Sequence, residues 1–349
     1  MNAPLHTELD YPFAAAPPVG DSMRVAPGIT WLRMALPFAL DHINLWLCDG
    51  GDRVAAIDCG YGDEPTRAAW QRHFAQTLDG RPLAKIVATH FHPDHIGNAQ
   101  WMSERFGLQV TMTHAEFLQA HAVWRDEGTL SVAAFGRFLC AHGMSDEHAQ
   151  ELAARGVAYR RGVPALPATF ARIIDGDAID LCDARFRVIA GFGHSPEHAA
   201  LHCAERRVLI AGDMLLPRIS TNISAWPCEP DGDPLARFLD SLARFEALPA
   251  DTLVLPSHGL PFRGIALRVG ALRAHHQARL AELLAFVRDA AAPVSAADVL
   301  PTLFRRTLDL QQRFFAMGEA IAHLNHLWHQ QRVERIDGGN GAIRFRAIA

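Results

Sequence analysis

Three histidines and an aspartate lie within six residues in His90-Phe91-His92-Pro93-Asp94-His95. Neutral imidazole and carboxylate together are ligand chemistry for zinc, and they also suit manganese and iron. The cluster follows the apolar run Leu83 to Thr89, which reads as a strand. A turn after a strand lets alternate residues point to a common side. His90 and His92 can therefore share one ion, while Asp94 and His95 face a second position beyond it. Pro93 fixes the loop's φ and suits the first turn of a helix anchoring its far end. Four residues cannot close two metal shells. Three more polar residues stand directly after apolar runs and beside Gly or Pro: His194 in Gly193-His194-Ser195-Pro196, Asp213 in Gly212-Asp213, and His258 in Pro256-Ser257-His258-Gly259. Ligands at strand ends are how a rigid sheet presents a metal site from its rim.

The elements that must position these residues are legible in outline. Ile43–Cys48 and Arg53–Asp58, joined by a Gly/Asp-rich turn, read as a β-hairpin. Residues 64–78 suit a helix, and a strand ends at Val110–Thr113. Residues 115–160 are helical in composition and read as an insertion, a candidate lid over the site. Strand rhythm resumes from Ala171 and continues to Thr252–Leu255, with a helix near 234–247. Strand runs on both sides of a helical middle predict two sheets packed face to face with helices outside. After about Gly264 come helical stretches near 268–290, 295–306 and 313–331, then a hairpin turning at Asp337–Gly341, which is a winged-helix outline. The expected organisation is an extended arm over 1–22, a larger two-sheet domain over 23–264 that carries the cluster, and a winged-helix-like domain over 265–349.

Composition narrows the functional classes. The chain has 349 residues, 49% of them hydrophobic, which suffices for a real core. A formal net charge of −5 gives no general attraction for nucleic acid or anionic lipid. No apolar run approaches the roughly 20 residues of a membrane span, and the N-terminus lacks the basic start of a signal peptide. Cys48, Cys59, Cys140, Cys182, Cys203 and Cys228 are scattered, with no C-x-x-C pair. They read as reduced thiols of a cytoplasmic protein.

The combined pattern resembles the metallo-β-lactamase-fold hydrolase superfamily. His90-x-His92-x-Asp94-His95 matches its H-x-H-x-D-H signature, with His194, Asp213 and His258 in the expected order and contexts. Asp58, in Ile57-Asp58-Cys59-Gly60, matches the family's buried aspartate behind the metal loop. The resemblance covers about residues 23–262 and implies a four-layer αββα sandwich, an α/β fold. It also implies one ion on His90, His92 and His194, a second on Asp94, His95 and His258, and Asp213 bridging the two. The implied cofactors are two divalent ions, with Zn2+ preferred over Mn2+ or Fe. The implied reaction is hydrolysis by a metal-bridging hydroxide, with Asp94 orienting the nucleophile and returning a proton to the leaving group. An aspartate bridge resembles the glyoxalase II, lactonase and ribonuclease branches. It differs from β-lactamases with cysteine at that position, so β-lactams are not the expected native substrate.

Substrate determinants are harder to read. Arg218, just beyond the bridging aspartate, is a candidate for binding a carboxylate or phosphate. Phe117, Trp124, Phe135 and Phe138 of the insertion could line an acyl pocket or simply pack it down. His42, His114 and His198 read as hydrogen-bonded structural residues, and His323, His326 and His329 as one face of a helix. The last long helix carries an acid and neither Lys nor Arg from Met317 to Trp328, whereas a groove-reading helix should be basic. It reads as a packing surface, against the hydrolase domain or a second copy of the chain. The expected substrate is a small acyl compound, first a thioester and then an ester or lactone. The rival reading is a ribonuclease holding single-stranded RNA on the winged helix.

Overall fold

The computed structural model describes residues 9–181 and 183–348, so Cys182 and the start of the N-terminal arm lie outside the described residues. Strands β1 (Ser22–Ala26), β2 (Ile29–Ala35), β3 (His42–Asp49), β4 (Val54–Ile57), β5 (Leu83–Val87), β6 (Val110–Met112) and β7 (Phe170–Arg172) form one sheet in sequence order. Strands β8 (Ala178–Leu181), β9 (Ala184–Gly191), β10 (His198–Cys203), β11 (Val208–Gly212) and β12 (Leu253–Pro256) form a second, ordered β12-β11-β10-β9-β8. The first sheet is antiparallel through β4 and parallel from β4 to β7. In the second, β11 and β12 are parallel and the other pairs antiparallel.

Alternation along the strands produces the layers. In β3, Leu45 and Leu47 face a cluster shared with Trp70, Phe74 and Met102 of the covering helices. Trp46 and Cys48, one residue out of phase, face Phe186, Val188, Leu201 and Ile210 of the opposite sheet. In β11, Val208 and Ile210 point between the sheets, while Leu209 and Ala211 meet Phe238, Leu242 and Leu272 of the helices behind. Three apolar interfaces separate four layers, giving the αββα sandwich. Both faces of each sheet are covered, which is why β3, β10 and β11 have almost no exposed residues.

The insertion is helical as expected, with helices His114–Arg125, Val132–Ala141 and Asp146–Ala154 and a last turn at Tyr159–Gly162. After Gly264 the observed order is helix Ile265–Asp289, a single turn Leu300–Leu303, helix Leu310–His329, and a hairpin of β13 (Val333–Asp337) and β14 (Ile343–Ala347). The second of the three expected helices is thus reduced to one turn. Val294 instead bridges Phe345 beside the hairpin, and Ser295 N–H and Oγ donate to Asp298 in a local turn. Helix Ile265–Asp289 starts three residues before the expected 268, and its Ile265, Val269 and Leu272 share one core with Ile189, Leu209 and Val254 of the second sheet. Among the described residues no helix is long and apolar enough to cross a membrane.

That shared core has a measurable consequence. Leu272→Ala removes a fully buried side chain from it and should cost about 2–5 kcal/mol of stability. Chemical unfolding followed by fluorescence should show the whole sandwich transition moving to lower denaturant. A shift confined to a separate C-terminal transition would contradict a common core.

Candidate metal centre

Parallel strands bring their C-terminal ends to one edge. β4 and β5 are parallel and end at Asp58 and at the His90–His95 loop. β9, β11 and β12 run the same way in the second sheet and end before His194, Asp213 and His258. The two edges are joined by Ala199 N–H donating to Thr89 C=O (2.8 Å), and by Asn44 Nδ2 donating to Pro256 and Gly259 C=O (2.8 Å each). Two ligand-bearing turns need glycine. Gly193 has φ +94° and a Cβ there would lie 2.2 Å from Pro234 O; Gly212 has φ +54° and a Cβ there would lie 2.2 Å from His198 Nε2.

The predicted residues converge into two groups, one of His90, His92, His194 and Asp213, the other of Asp94, His95 and His258. His90 Nε2 is 2.9 Å from His92 Nδ1 and 3.3 Å from His194 Nε2. Asp213 stands between the groups. Its Oδ2 is 3.4 Å from His194 Nε2, and its Oδ1 is 3.6 Å from His95 Nε2 and 3.4 Å from His258 Nε2. Asp94 Oδ2 lies 3.5 Å from His258 Nε2 and 3.7 Å from His95 Nε2, and its side chain is 15% exposed.

Outer partners fix which ring nitrogen faces inward. His194 Nδ1 donates to Asn222 C=O (2.8 Å) and His258 Nδ1 to His42 C=O (2.9 Å). His95 Nδ1 donates to Asp58 Oδ2 (2.7 Å). Thr89 Oγ1 donates to the same oxygen (2.9 Å), so the His90 Nδ1 contact to Thr89 Oγ1 (3.1 Å) is donated by the ring. In each case Nδ1 is committed outward and Nε2 is the nitrogen turned to the centre, which in the neutral ring is the lone pair a metal ligand needs. His95 Nε2 and Asp213 Oδ1 are buried without any hydrogen-bond partner. Buried ligand atoms left without partners and facing one carboxylate are satisfied by a cation, and the donor set therefore fits divalent metal.

The charge balance says the same. Burial and the neighbouring imidazoles hold His90 and His92 well below the usual histidine range, so both are neutral. Burial also works against a charge on His95, but Asp58, Asp94 and Asp213 outweigh it and hold its pKa well above the usual value. For Asp213, burial favours the neutral acid, yet His258 and His95 prevail and keep the carboxyl well below the ordinary range. The second group calls for positive charge.

Asp58 lies behind this loop as the sequence suggested. Its backbone is left-handed (φ +63°), and its buried carboxylate accepts from Thr89 N–H (2.7 Å), Thr89 Oγ and His95 Nδ1. His198 is structural, its Nε2 accepting Asp213 N–H (3.2 Å), and His42 Nε2 likewise accepts Gly259 N–H (3.0 Å). His114 stacks on Phe170. His323, His326 and His329 pair with Glu319 C=O, Asp233 and Asp231 C=O along one helix. Cys228 is exposed in a surface hollow with Asp231 and Arg237, apart from both donor groups. Arg218 is exposed with its guanidinium over Tyr11, and no described contact joins it to the ligands. Phe117 stacks on Phe170, Trp124 Nε1 donates to Val163 C=O, and Phe138 joins the core that includes Leu209, Leu235 and Phe245, so these three hold the insertion down. Phe135 differs. It belongs to a row of ring contacts from Phe91, beside His92, through Trp226 and Phe135 to Phe314.

Sequence reasoning missed three supports. Glu116 is a buried carboxylate between two ligand loops, and burial raises its pKa to about 7 against three hydrogen-bond donors. Arg268 is buried and donates to Leu216 C=O (2.5 Å) and Ile219 C=O (2.7 Å), pinning the segment after Asp213. Asn222, whose carbonyl orients His194, donates from Nδ2 to Glu319 (3.3 Å) on the C-terminal helix. None of the three stands in a spacing that marks it in the sequence.

Comparison with known proteins agrees with this geometry. Residues 39–258 match the family described as the metallo-beta-lactamase superfamily, and residues 280–348 match its metallo-beta-lactamase-like C-terminal domain. A beta-lactamase domain protein from Burkholderia ambifaria is 43% identical, with 98% of each chain covered and a TM-score of 0.89. The metallo-beta-lactamase family protein TTHA1429 from Thermus thermophilus is 32% identical over 92% of this chain and 99% of that one, at a TM-score of 0.78. The human acyl-coenzyme A thioesterase MBLAC2 is 28% identical over 196 residues, which is 54% of this chain and 63% of the relative, so the match spans less than two thirds of that protein. With the His/Asp donor groups at the sheet edge, the match over residues 39–258 establishes that the chain belongs to the metallo-β-lactamase superfamily of metallo-hydrolases.

Proposed function

We propose that the protein is a dinuclear metal-dependent hydrolase of small acyl compounds, acting first on thioesters and next on esters or lactones. The observation that carries the two-ion reading is the Asp213 carboxylate, with one oxygen towards each imidazole group. His90, His92 and His194 would hold one ion and Asp94, His95 and His258 the other. Five imidazoles and two carboxylates favour zinc, with manganese and iron as alternatives. Divalent ions held there supply a nucleophile at neutral pH and polarise the scissile carbonyl. Asp94 is the partly open carboxylate of the set, placed to hold a proton and return it to the leaving group.

Two features support an acyl substrate. The aromatic row Phe91–Trp226–Phe135–Phe314 runs from the metal loop, where Phe91 is buried, towards the C-terminal helix, and its half-buried members Trp226, Phe135 and Phe314 offer apolar surface along the way. A relative is named an acyl-coenzyme A thioesterase. RNA is disfavoured by the net charge of −5 and by acidic partners beside several C-terminal arginines, Arg344 with Asp298 and Arg346 with Glu334 among them.

Elemental analysis of carefully purified protein should approach two metal ions per chain. A limit of one in excess zinc or manganese would count against the bridged centre. Asp213→Ala should lose about 100-fold or more in turnover, roughly 2.7 kcal/mol of transition-state stabilisation, while Cys228→Ala stays near wild type. Equal activity of the two variants would sink the ligand assignment. Substrate class is read by running acyl-CoA, acyl-glutathione and lactone panels beside labelled single-stranded RNA. Thioester turnover abolished by His92→Ala is expected. Metal-dependent RNA cleavage with no acyl turnover would reverse the choice.

A further inference from the structure

The histidines of the first donor group come from opposite sheets, His90 and His92 from the loop after β5 and His194 from the loop after β9. We propose that Glu116, carried by the insertion, is the positioning residue that sets the spacing of these three imidazoles by holding both loops at once. Its Oε2 accepts the N–H of Phe91 (2.9 Å), the residue between His90 and His92. Its Oε1 accepts Ser195 Oγ–H (2.6 Å) and Glu197 N–H (2.7 Å), immediately after His194. The other side of the Phe91 peptide is held as well, since Tyr159 Oη donates to Phe91 C=O (2.5 Å). Both polar groups of the residue separating two ligands are thus fixed by insertion side chains. The same helix start engages the His194 loop again, through Thr113 Oγ1 donating to Glu197 C=O (2.8 Å).

Glu116 is fully buried, so its three donors have no water to turn to if the carboxylate is lost. The geometry also separates the loops experimentally. A glutamine can keep its oxygen towards Ser195 and Glu197, but its amide then faces the Phe91 N–H, donor against donor. Glu116→Gln therefore disturbs chiefly the His90/His92 side. Ser195→Ala removes one bond on the His194 side and leaves the carboxylate in place. The insertion is on this account part of the metal scaffold.

The inference rests on reading the two groups as metal sites, and wild-type binding tests that reading separately. Zn2+ affinity is measured by chelator competition, and Co2+ absorption reports ligand geometry, for wild type, Glu116→Gln, Ser195→Ala and His121→Ala. His121 lies on the same helix but bonds Pro167 C=O, away from both loops. Glu116→Gln should weaken the affected ion by about tenfold or more and change the Co2+ bands. Ser195→Ala should lose roughly threefold, and His121→Ala should match wild type even if its melting temperature falls. Wild-type affinity and spectrum in Glu116→Gln would overturn the proposal, as would an equal loss in His121→Ala. If Glu116→Gln does not fold, unchanged affinity in Ser195→Ala overturns it. Wild type that binds no metal overturns the metal reading and this inference with it.

Discussion

A buried carboxylate with one oxygen towards each of two imidazole groups is the constraint from which the rest of the structure follows. Asp213 can occupy that place only because Gly212 turns left-handed under His198, and because both ends of the aspartate's main chain are tied. His198 accepts its N–H, and Thr221 Oγ1 donates to its carbonyl. In a low-dielectric cleft, three acids (Asp58, Asp94 and Asp213) and five inward-facing histidines must reach a neutral balance. Raised pKa values on His95 and His258 offset part of the acids' charge in the absence of ions, and dications would offset the rest. One carboxylate thereby sets both the separation of the two groups and their charge.

The sandwich exists, in this sense, to hold strand ends still. Two sheets contribute ligands from the same edge, and the apolar layer between them, built on Trp31, Trp46, Phe186 and Leu255, keeps the edges in register. The helical additions are fastened to the ligand loops. The insertion holds Phe91 through Glu116 and Tyr159, helix Ile265–Asp289 holds the segment after Asp213 through Arg268, and the last long helix reaches Asn222 through Glu319. His194 is therefore oriented by a carbonyl whose residue is itself bound to the C-terminal helix.

How much of this was legible depended on the range of the interaction. The H-x-H-x-D-H run, the ligands after apolar runs and the hairpin before Asp58 are local patterns, and their order along the chain carries them. Glu116 is different in kind. An acid in the first turn of a helix looks like an ordinary complement to the helix dipole, and its contacts with Phe91 and Ser195 arise only when the sheets pack. Arg268 is equally silent, because a buried arginine serving two carbonyls has no sequence period. The helical composition of 295–306 yields only one turn: Ser295 and Asp298 form a local turn, and Val294 joins the hairpin instead of starting a helix. Phe117, Trp124 and Phe138 had the composition of a pocket but pack the insertion down, whereas Trp226 and Phe314, from separate segments, complete the row with Phe135.

Anomalous diffraction from crystals of metal-loaded protein tests the central claim most directly. Two peaks are predicted, one among His90, His92 and His194 and one among Asp94, His95 and His258, with the Asp213 carboxylate between them. A single peak, or two peaks with Asp213 turned away from either, would contradict the account.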